Sequence, residues 1–341
     1  MSTTTTASTA VHERRRALQA FDDTKAGVKG LVDAGVTAVP AIFHHPPDSL
    51  PLDAPPRPRH EHRFTIPVID LAGLATPQGR ASVVGAVRAA ALTVGFFQVV
   101  NHGVPEATTS RMLAAVRRFH EEPAEARAPY YSRDHGRRVR YASNFDLFQS
   151  PAANWRDSVY IDMAPDAPPA PEETPPALRD VAPEYASWRG GCTTSCSGCC
   201  RRRWASARAP GGGRRVHGRA QPRRPLLPGV PGAAPDHGHH QAPDPSFLTV
   251  LLQDAIGGLQ VLVDNLEEDG ESSVWVDVPA VAGALVVNVG DYLQLVSNDR
   301  FKSVEHRVVA NGAGPRVGGL LLPDVRRRRV HDGAAADRRR R

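Results

Sequence analysis

Short runs of apolar and β-branched residues fill the chain beyond Asp244, and they constrain the fold more than any other feature. Gly, Asn, Asp and Pro interrupt these runs, which read SFLTVLLQD, LQVLV, VWVDVP, ALVVNVGDYLQLVS and SVEHRVV. β-branched residues favour extended backbone, and the interrupting residues favour turns. Short strands at this regular spacing are typical of an antiparallel barrel or a jelly roll. The sequence therefore predicts a β-rich core in 244–317.

Helical and extended patterns alternate in the part of the chain that precedes residue 187. Apolar residues recur at near-helical spacing in 12–35, which ends on Gly35, so we predict an amphipathic helix with a glycine stop. A Pro-rich linker is expected at 39–59. After it the patterns predict a strand within 64–74, a helix over 80–94, a buried strand and turn over 95–103 and a helix over 105–122. The chain is thus predicted to be α+β, with an α/β region in 12–186 ahead of the β core.

Two blocks fit neither pattern. Residues 189–241 and 318–341 are rich in Arg, Gly, Pro and Ala and show neither helical nor strand periodicity. Such segments cannot bury enough apolar surface to offset the loss of chain entropy, so both are expected to be disordered. The chain accordingly divides into 12–186, an aberrant segment at 187–243, the β core at 244–317 and an aberrant basic tail at 318–341.

Charge and cysteine content exclude several classes of protein. The net charge is +6, but arginine crowds into 189–224 and 326–341, which weakens the inference of an acidic partner. All four cysteines lie within nine residues, whereas a disulfide framework would spread them along the chain. No apolar run reaches the ~18 residues that a membrane span needs. The four cysteines are Cys192, Cys196, Cys199 and Cys200. From these features we expect a cytoplasmic protein with no membrane partner.

Many motifs in the same order carry a resemblance to a known family. They read FDDTKAGVKGLVDAG, IPVIDLAGL, GFFQVVNHGVP, DPSFLTVLLQD, GGLQVLV, the run from WVDVP to HRVV, and GPR. Together they resemble the plant 2-oxoglutarate/iron(II) dioxygenases, and within them the homologues of 1-aminocyclopropane-1-carboxylate oxidase, a subgroup that includes the DIBOA-glucoside dioxygenase of grasses. The resemblance implies a double-stranded β-helix (jelly-roll) core. It also implies Fe(II) and 2-oxoglutarate, with ascorbate as a further candidate, a small-molecule substrate oxidised by O2, a monomeric state and no nucleic-acid partner.

The resemblance assigns three site residues. Non-haem iron oxygenases hold Fe(II) with two imidazoles and one carboxylate on one face, and leave the other face open. Asp244 and His306 match two of these three positions. The third, a histidine two residues before the aspartate, is Ala242 here. Arg316 matches the arginine that pairs with the distal carboxylate of 2-oxoglutarate, a task for which a guanidinium is suited, while the serine that normally accompanies it is Gly318.

Nearby histidines are poor substitutes for the missing ligand. His240 lies four residues before Asp244 rather than two, which in extended chain displaces its side chain by about 6–7 Å, and His239 is further away. Relatives contact the organic substrate in 144–157, where no individual roles are assigned. Other residues border the site in the family and are equally well explained as turn or core residues, namely Asn288, Asp291, Tyr292 and Phe301.

The aberrant blocks have a possible origin in the reading frame. The family has an amphipathic helix, a YYPACP motif and a His-x-Asp motif where this chain has 187–244. Reverse translation of 187–206 with GC-rich codons gives, from each third base, MARRLHDELLGLLSEALGL. Read one base later, 225–243 can give HYYPACPEP and then TTKH, and 318–323 can give VACFFR. We hypothesise that small insertions or deletions shift the frame in 188–243 and near 318, so that the missing histidine is misread rather than replaced. The polypeptide is then expected to be poorly active and poorly stable.

Two other classes of protein compete with the oxygenase interpretation. The four cysteines beside several histidines could form a small zinc module, and the Arg/Gly-rich text could bind RNA. The zinc module is disfavoured because the cysteines are not arranged as two separated pairs. Neither alternative explains why a leucine-periodic helix is encoded in another reading frame. A catalytically dead relic of the oxygenase is a further alternative. Zinc held by thiols would indicate the zinc module, weakly held iron would indicate the damaged oxygenase, and salt-dependent RNA retention would indicate the RNA-binding segment.

Overall fold

The computed structural model describes residues 3–44, 65–144, 146–163, 168–188, 223–227, 244, 246–264, 273–309 and 316–317. Most of the two aberrant blocks therefore lies outside the described residues. The predictions made for these blocks concern disorder, a zinc module, an RNA-binding segment and a ligand role for His239 or His240, and they lie outside the described residues as well. Among the described helices, none is both long and apolar enough to cross a bilayer.

The described helices lie mainly in the N-terminal half. One of them is seen over residues 181–188 and is called α6 here. The others are α1 Thr3–Asp23, α2 Gly27–Asp33, α3 Pro77–Thr93, α4 Glu106–Glu121, α5 Ala124–Arg127 and α7 Asp291–Val296. The helices predicted over 80–94 and 105–122 correspond to α3 and α4. Thr76 begins α3 by accepting a hydrogen bond from Gly79 N through its hydroxyl, a common N-terminal cap.

The helix predicted over 12–35 is instead two helices, and the correction has a physical cause. The chain turns between α1 and α2, where Lys25 and Gly27 have φ of 53° and 73°. A Cβ at Gly27 would lie 2.3 Å from the Tyr141 hydroxyl, so only glycine fits there. At the start of α2, the backbone N–H groups of Val28 and Lys29 donate to the carboxylate of Asp157 at 2.8 Å each. A buried carboxylate therefore fixes the start of α2 and stops α1 from continuing.

Eleven short strands are described, and they form three sheets. The first has the order β1-β2-β9-β6, the second β10-β7-β8 and the third β11-β5-β4-β3. Only the β1–β2 pairing is parallel among the named strands. The strands are β1 Val68–Asp70, β2 Phe96–Val100, β3 Val139–Ser143, β4 Asp157–Ile161, β5 Arg223–Leu227, β6 Leu248–Leu251, β7 Leu259–Asp264, β8 Ser273–Asp277, β9 Leu285–Val289, β10 His306–Val308 and β11 Arg316–Val317.

Two of these elements depart from the sequence-based expectations. Strand β5 lies inside the block 189–241, which was expected to be disordered; it pairs with β4 on one side and with β11 on the other. Backbone pairing needs peptide groups rather than an apolar pattern, so composition gave no sign of it. The run ALVVNVGDYLQLVS is a strand only as far as Val289, and α7 follows Gly290, because Leu and Gln favour a helix over a strand.

The two faces of β2 pack against different layers. Phe97 and Val99 belong to the large core cluster that contains residues of α3 and α4. Phe96 points to the opposite face and joins a cluster with Val261 of β7 and Val286 of β9. Successive side chains of a strand alternate between faces, so the inner face of the first sheet lies against the second sheet. That inner space is where the candidate site is found.

The N-terminal helices dock onto the third sheet through buried polar contacts as well as apolar ones. Phe21 and Phe43 pack in a T-shaped pair, and Phe43 packs in the same way on the fully buried Trp155. Beneath them the carboxylate of Asp157 also accepts hydrogen bonds from the Tyr141 and Ser143 hydroxyls. Burial raises the pKa of Asp157, so these four donors are what makes the carboxylate tolerable in the core.

Candidate active site

Asp244 is held at the inner face of the first sheet by side chains from two of its strands. Its Oδ2 atom accepts hydrogen bonds from the Thr249 hydroxyl of β6 at 2.5 Å and from Asn288 Nδ2 of β9 at 2.8 Å. Its backbone carbonyl accepts from the amide of Asp291 at the start of α7. Both side-chain donors bind the same oxygen, and Oδ1 accepts no hydrogen bond from the described residues. The carboxylate is therefore fixed in orientation with one oxygen available to a ligand.

His306 begins β10 in the facing sheet. Its ring packs on Phe96 with the centroids 5.3 Å apart, and Nδ1 lies 3.3 Å from the carbonyl oxygen of Val304. A carbonyl can only accept, so Nδ1 carries the proton and the neutral ring keeps its lone pair on Nε2. Fixing one ring nitrogen by a backbone carbonyl is how proteins prepare the other to ligate a metal.

A single pair of residues links the two groups. Asn288 and Phe96 are directly opposite each other in the β2–β9 ladder. Asn288 holds Asp244, and Phe96 contacts His306. Opposed residues on one face of a sheet have Cβ atoms about 5 Å apart. The structure thus links Asp244 and His306 through two opposed residues on the inner face, while their role as metal ligands stays a prediction.

The metal shell is incomplete within the described residues. They contain no group of three or more His, Cys, Asp or Glu side chains that could hold a metal ion. The position of the third ligand, Ala242, lies outside them. As predicted ligands, Asp244 and His306 would supply two of the three protein groups that a facial site requires.

Arg316, on the two-residue strand β11, is 3% exposed. Its Nη2 donates to Gln253 Oε1 at 3.2 Å, while its Nε is buried and has no hydrogen-bond partner among the described residues. Burial lowers the pKa of Arg316 to about 10, and the neighbouring carboxylate of Asp254 opposes that shift. The guanidinium is therefore a buried cation with an unused donor, which suits the carboxylate of 2-oxoglutarate.

The remaining residues that the sequence placed near the site differ in position. Asp291 Oδ1 accepts from the Ser303 hydroxyl at 2.7 Å, and Phe301 is buried in the large core cluster. Tyr292 is 40% exposed. In the region 144–157, the side chains of Asp157 and Trp155 hold the N-terminal helices, as described above, so their contacts are structural.

Sequence reasoning missed the residues that support these groups. Thr249 and Phe96 fit the pattern of ordinary strand residues. Gln253 follows an apolar run, and no sequence motif distinguishes it as a functional residue. Strand alternation offered a weak signal, because it would place Phe96, Asn288 and Thr249 on one face once the strand register was known. The register itself depends on tertiary structure.

Comparison with known protein families supports the same assignment. Residues 66–182 match the N-terminal family of the non-haem dioxygenase in morphine synthesis, and residues 221–318 match the 2OG-Fe(II) oxygenase superfamily. 1-aminocyclopropane-1-carboxylate oxidase homolog 1 of Arabidopsis thaliana is 45% identical over 333 residues, which cover 89% of this chain and 80% of that protein. Homolog 3 of the same plant is 43% identical over 330 residues, covering 88% and 80%.

Solved structures agree with the sequence relatives. The chain is similar to JOX2, solved in complex with 2OG, Fe and JA, with a TM-score of 0.67 and 25% identity over 89% of this chain and 86% of that one. It is also similar to the rice dioxygenase for auxin oxidation, with a TM-score of 0.60 and 28% identity over 76% and 82%.

A jelly-roll core with a carboxylate on the inner face of one sheet, an imidazole on a strand of the second sheet and a buried arginine is typical of non-haem iron oxygenases. The family models and relatives narrow the class further. The chain belongs to the 2OG-Fe(II) oxygenase superfamily, among the plant homologues of 1-aminocyclopropane-1-carboxylate oxidase. The predictions of a jelly-roll core, of an oxidoreductase and of Fe(II) and 2-oxoglutarate as its metal and co-substrate are confirmed.

Proposed function

We propose that this polypeptide oxidises a small plant specialised metabolite with 2-oxoglutarate and O2, and that its turnover is impaired because one iron ligand is missing. The observation that supports both parts is the link between Asp244 and His306 through Asn288 and Phe96, while Ala242 occupies the sequence position of the third ligand. Iron affinity should be low, since an imidazole absent from a three-ligand site leaves one more position to water.

Each described residue would have a defined task. Asp244 presents Oδ1 because Thr249 and Asn288 engage Oδ2, and His306 presents Nε2 because Val304 fixes Nδ1. Arg316 would bind and orient the distal carboxylate of 2-oxoglutarate. Fe(II) and 2-oxoglutarate, when bound, supply the oxidising chemistry.

The substrate class rests on the relatives. JOX2 was solved with JA, and the rice neighbour is a dioxygenase for auxin oxidation. By the same relationship, a phenylpropanoid, flavonoid or benzoxazinoid-type compound is proposed for this chain. Hydroxylation or a related oxidation is the reaction proposed, in the cytoplasm and by a monomer.

The substitution Ala242→His tests the proposal. We expect Fe(II) affinity and the rate of succinate formation from 2-oxoglutarate to rise by roughly tenfold or more, which is the scale of change that follows alterations around a metal site. Ala280→His, which adds an imidazole at an exposed position, is the matched control and should change neither quantity. A chain with the reading frame restored in 188–243 and after 317 forms a second arm, because the segment around position 242 also differs from the family.

The outcomes separate the parts of the proposal. Normal consumption of 2-oxoglutarate by the unaltered chain would refute the impairment. Failure of both the single substitution and the repaired chain to consume 2-oxoglutarate would refute the enzymatic function. Zinc bound through thiols, measured by metal analysis, would favour the zinc module instead.

A further inference from the structure

Two neighbouring side chains each hold a buried N–H donor that has no hydrogen-bond partner among the described residues. They are Arg316, through Nε, and Gln253, through Nε2. The two side chains are already joined, since Arg316 Nη2 donates to Gln253 Oε1 at 3.2 Å. A guanidinium has no acceptor, so the amide oxygen must face it and the amide NH2 must point elsewhere. The arrangement therefore carries unused donors on both of its members.

The charge balance at this place is also incomplete. Asp254 is the acid beside Arg316, but its Oδ2 accepts from the backbone N–H of Val317 at 2.6 Å and lies 3.7 Å from Arg117. No hydrogen bond joins Asp254 to Arg316 among the described contacts. A buried cation with unpaired donors is unfavourable until an anion arrives. An anionic ligand with two oxygens would satisfy both donors.

The backbone holds both residues firmly. Val317 donates to the Asp254 side chain and its carbonyl accepts from the Asp254 amide at 3.1 Å. Arg316 and Gln253 immediately precede Val317 and Asp254, so their backbones are held close together. Holding the two residues together before a ligand arrives lowers the entropy cost of binding it.

We propose that Gln253 is a second donor to the distal carboxylate of 2-oxoglutarate, with Arg316 as the first. Gln253 then compensates for the serine that the family places two residues after the arginine and that is Gly318 here. This inference rests on the proposed function, and it adds a binding residue that recognises the far end of the co-substrate rather than the metal.

The test is the binding of 2-oxoglutarate to the full chain, measured by calorimetry with Mn²⁺ in place of iron so that no turnover occurs. Gln253→Leu should raise the Kd for 2-oxoglutarate by about tenfold or more, the scale expected for a hydrogen bond to a charged group. The Kd for 2-oxopentanoate, which has a methyl group in place of the distal carboxylate, should stay unchanged. Adding Gly318→Ser to the Gln253→Leu chain should recover most of the loss.

Gln260→Leu is the matched control. Gln260 also accepts from an arginine, Arg307, and its Nε2 donates to Asp277. It makes no hydrogen bond with Arg316 among the described contacts, so the Kd should not change. A Gln253→Leu chain that binds 2-oxoglutarate as the unaltered chain does, or that loses equal affinity for 2-oxopentanoate, would overturn the inference and leave the proposed function intact. An unaltered chain that binds no 2-oxoglutarate would overturn both.

Discussion

Replacing Arg316 by methionine should stabilise the ligand-free protein while abolishing the binding of 2-oxoglutarate. Burial lowers the pKa of Arg316 to about 10, well below the ordinary value of a guanidinium, and each pKa unit corresponds to about 1.4 kcal/mol. The charged form is thus disfavoured by about 3 kcal/mol. For a basic group with a lowered pKa this penalty is complete below the folded-state pKa and fades as pH rises from there to the unfolded-state pKa, so it acts in full at neutral pH.

Part of that gain is offset, because methionine loses the hydrogen bond to Gln253, a contribution of about 1–2 kcal/mol. A net rise in unfolding free energy of about 1–2 kcal/mol is expected from urea denaturation at pH 7. Arg127→Met is the matched control. Arg127 is also fully buried, but it donates to Glu122 O, Ala26 O and the Tyr141 hydroxyl, so its loss should destabilise the protein. A fall in stability for Arg316→Met would refute the claim that this cation is uncompensated.

Two further predictions concern stability. His102 accepts from Val104 N through Nδ1 and contacts Gly283 O through Nε2. Burial lowers the pKa of His102, so the unfolding free energy should fall as pH drops from 7.5 to 5.5. Urea midpoints should show a smaller fall for His102→Gln, and equal falls would contradict this. Asp157→Asn turns an NH2 group toward buried donors that include Val28 N. It should lower the unfolding free energy by about 2–4 kcal/mol and speed proteolysis within residues 3–33. Unchanged proteolysis would contradict this prediction.

The sequence predicted elements whose pattern is local. Helices α3 and α4 were expected within a few residues of their observed bounds, because apolar periodicity and caps lie within the helix itself. The strands β6, β7 and β8 were likewise expected from their β-branched runs. The break between α1 and α2 could not be predicted, since it depends on Asp157, which lies far along the chain and reaches the helix only in the folded protein.

The candidate site was predicted in part for the same reason. Asp244, His306 and Arg316 were found through family motifs, which record function directly. Gln253 and Arg316 are 63 positions apart, and Asn288 and Asp244 are 44 apart. Their contacts follow from strand register, which one sequence does not reveal. The sequence thus names the residues with a recognisable motif and leaves out those that only support them.

The place of β2 in the first sheet has a consequence for biosynthesis. Its partner β1 is made just before it, but the strand on its other side, β9, emerges from the ribosome only after most of the chain has been translated. Until then one edge of β2 is unsatisfied, and its apolar residues invite association with other nascent chains. We therefore expect that the N-terminal region does not fold alone, and that a premature stop in the middle of the gene would release an aggregation-prone fragment rather than a stable half-enzyme.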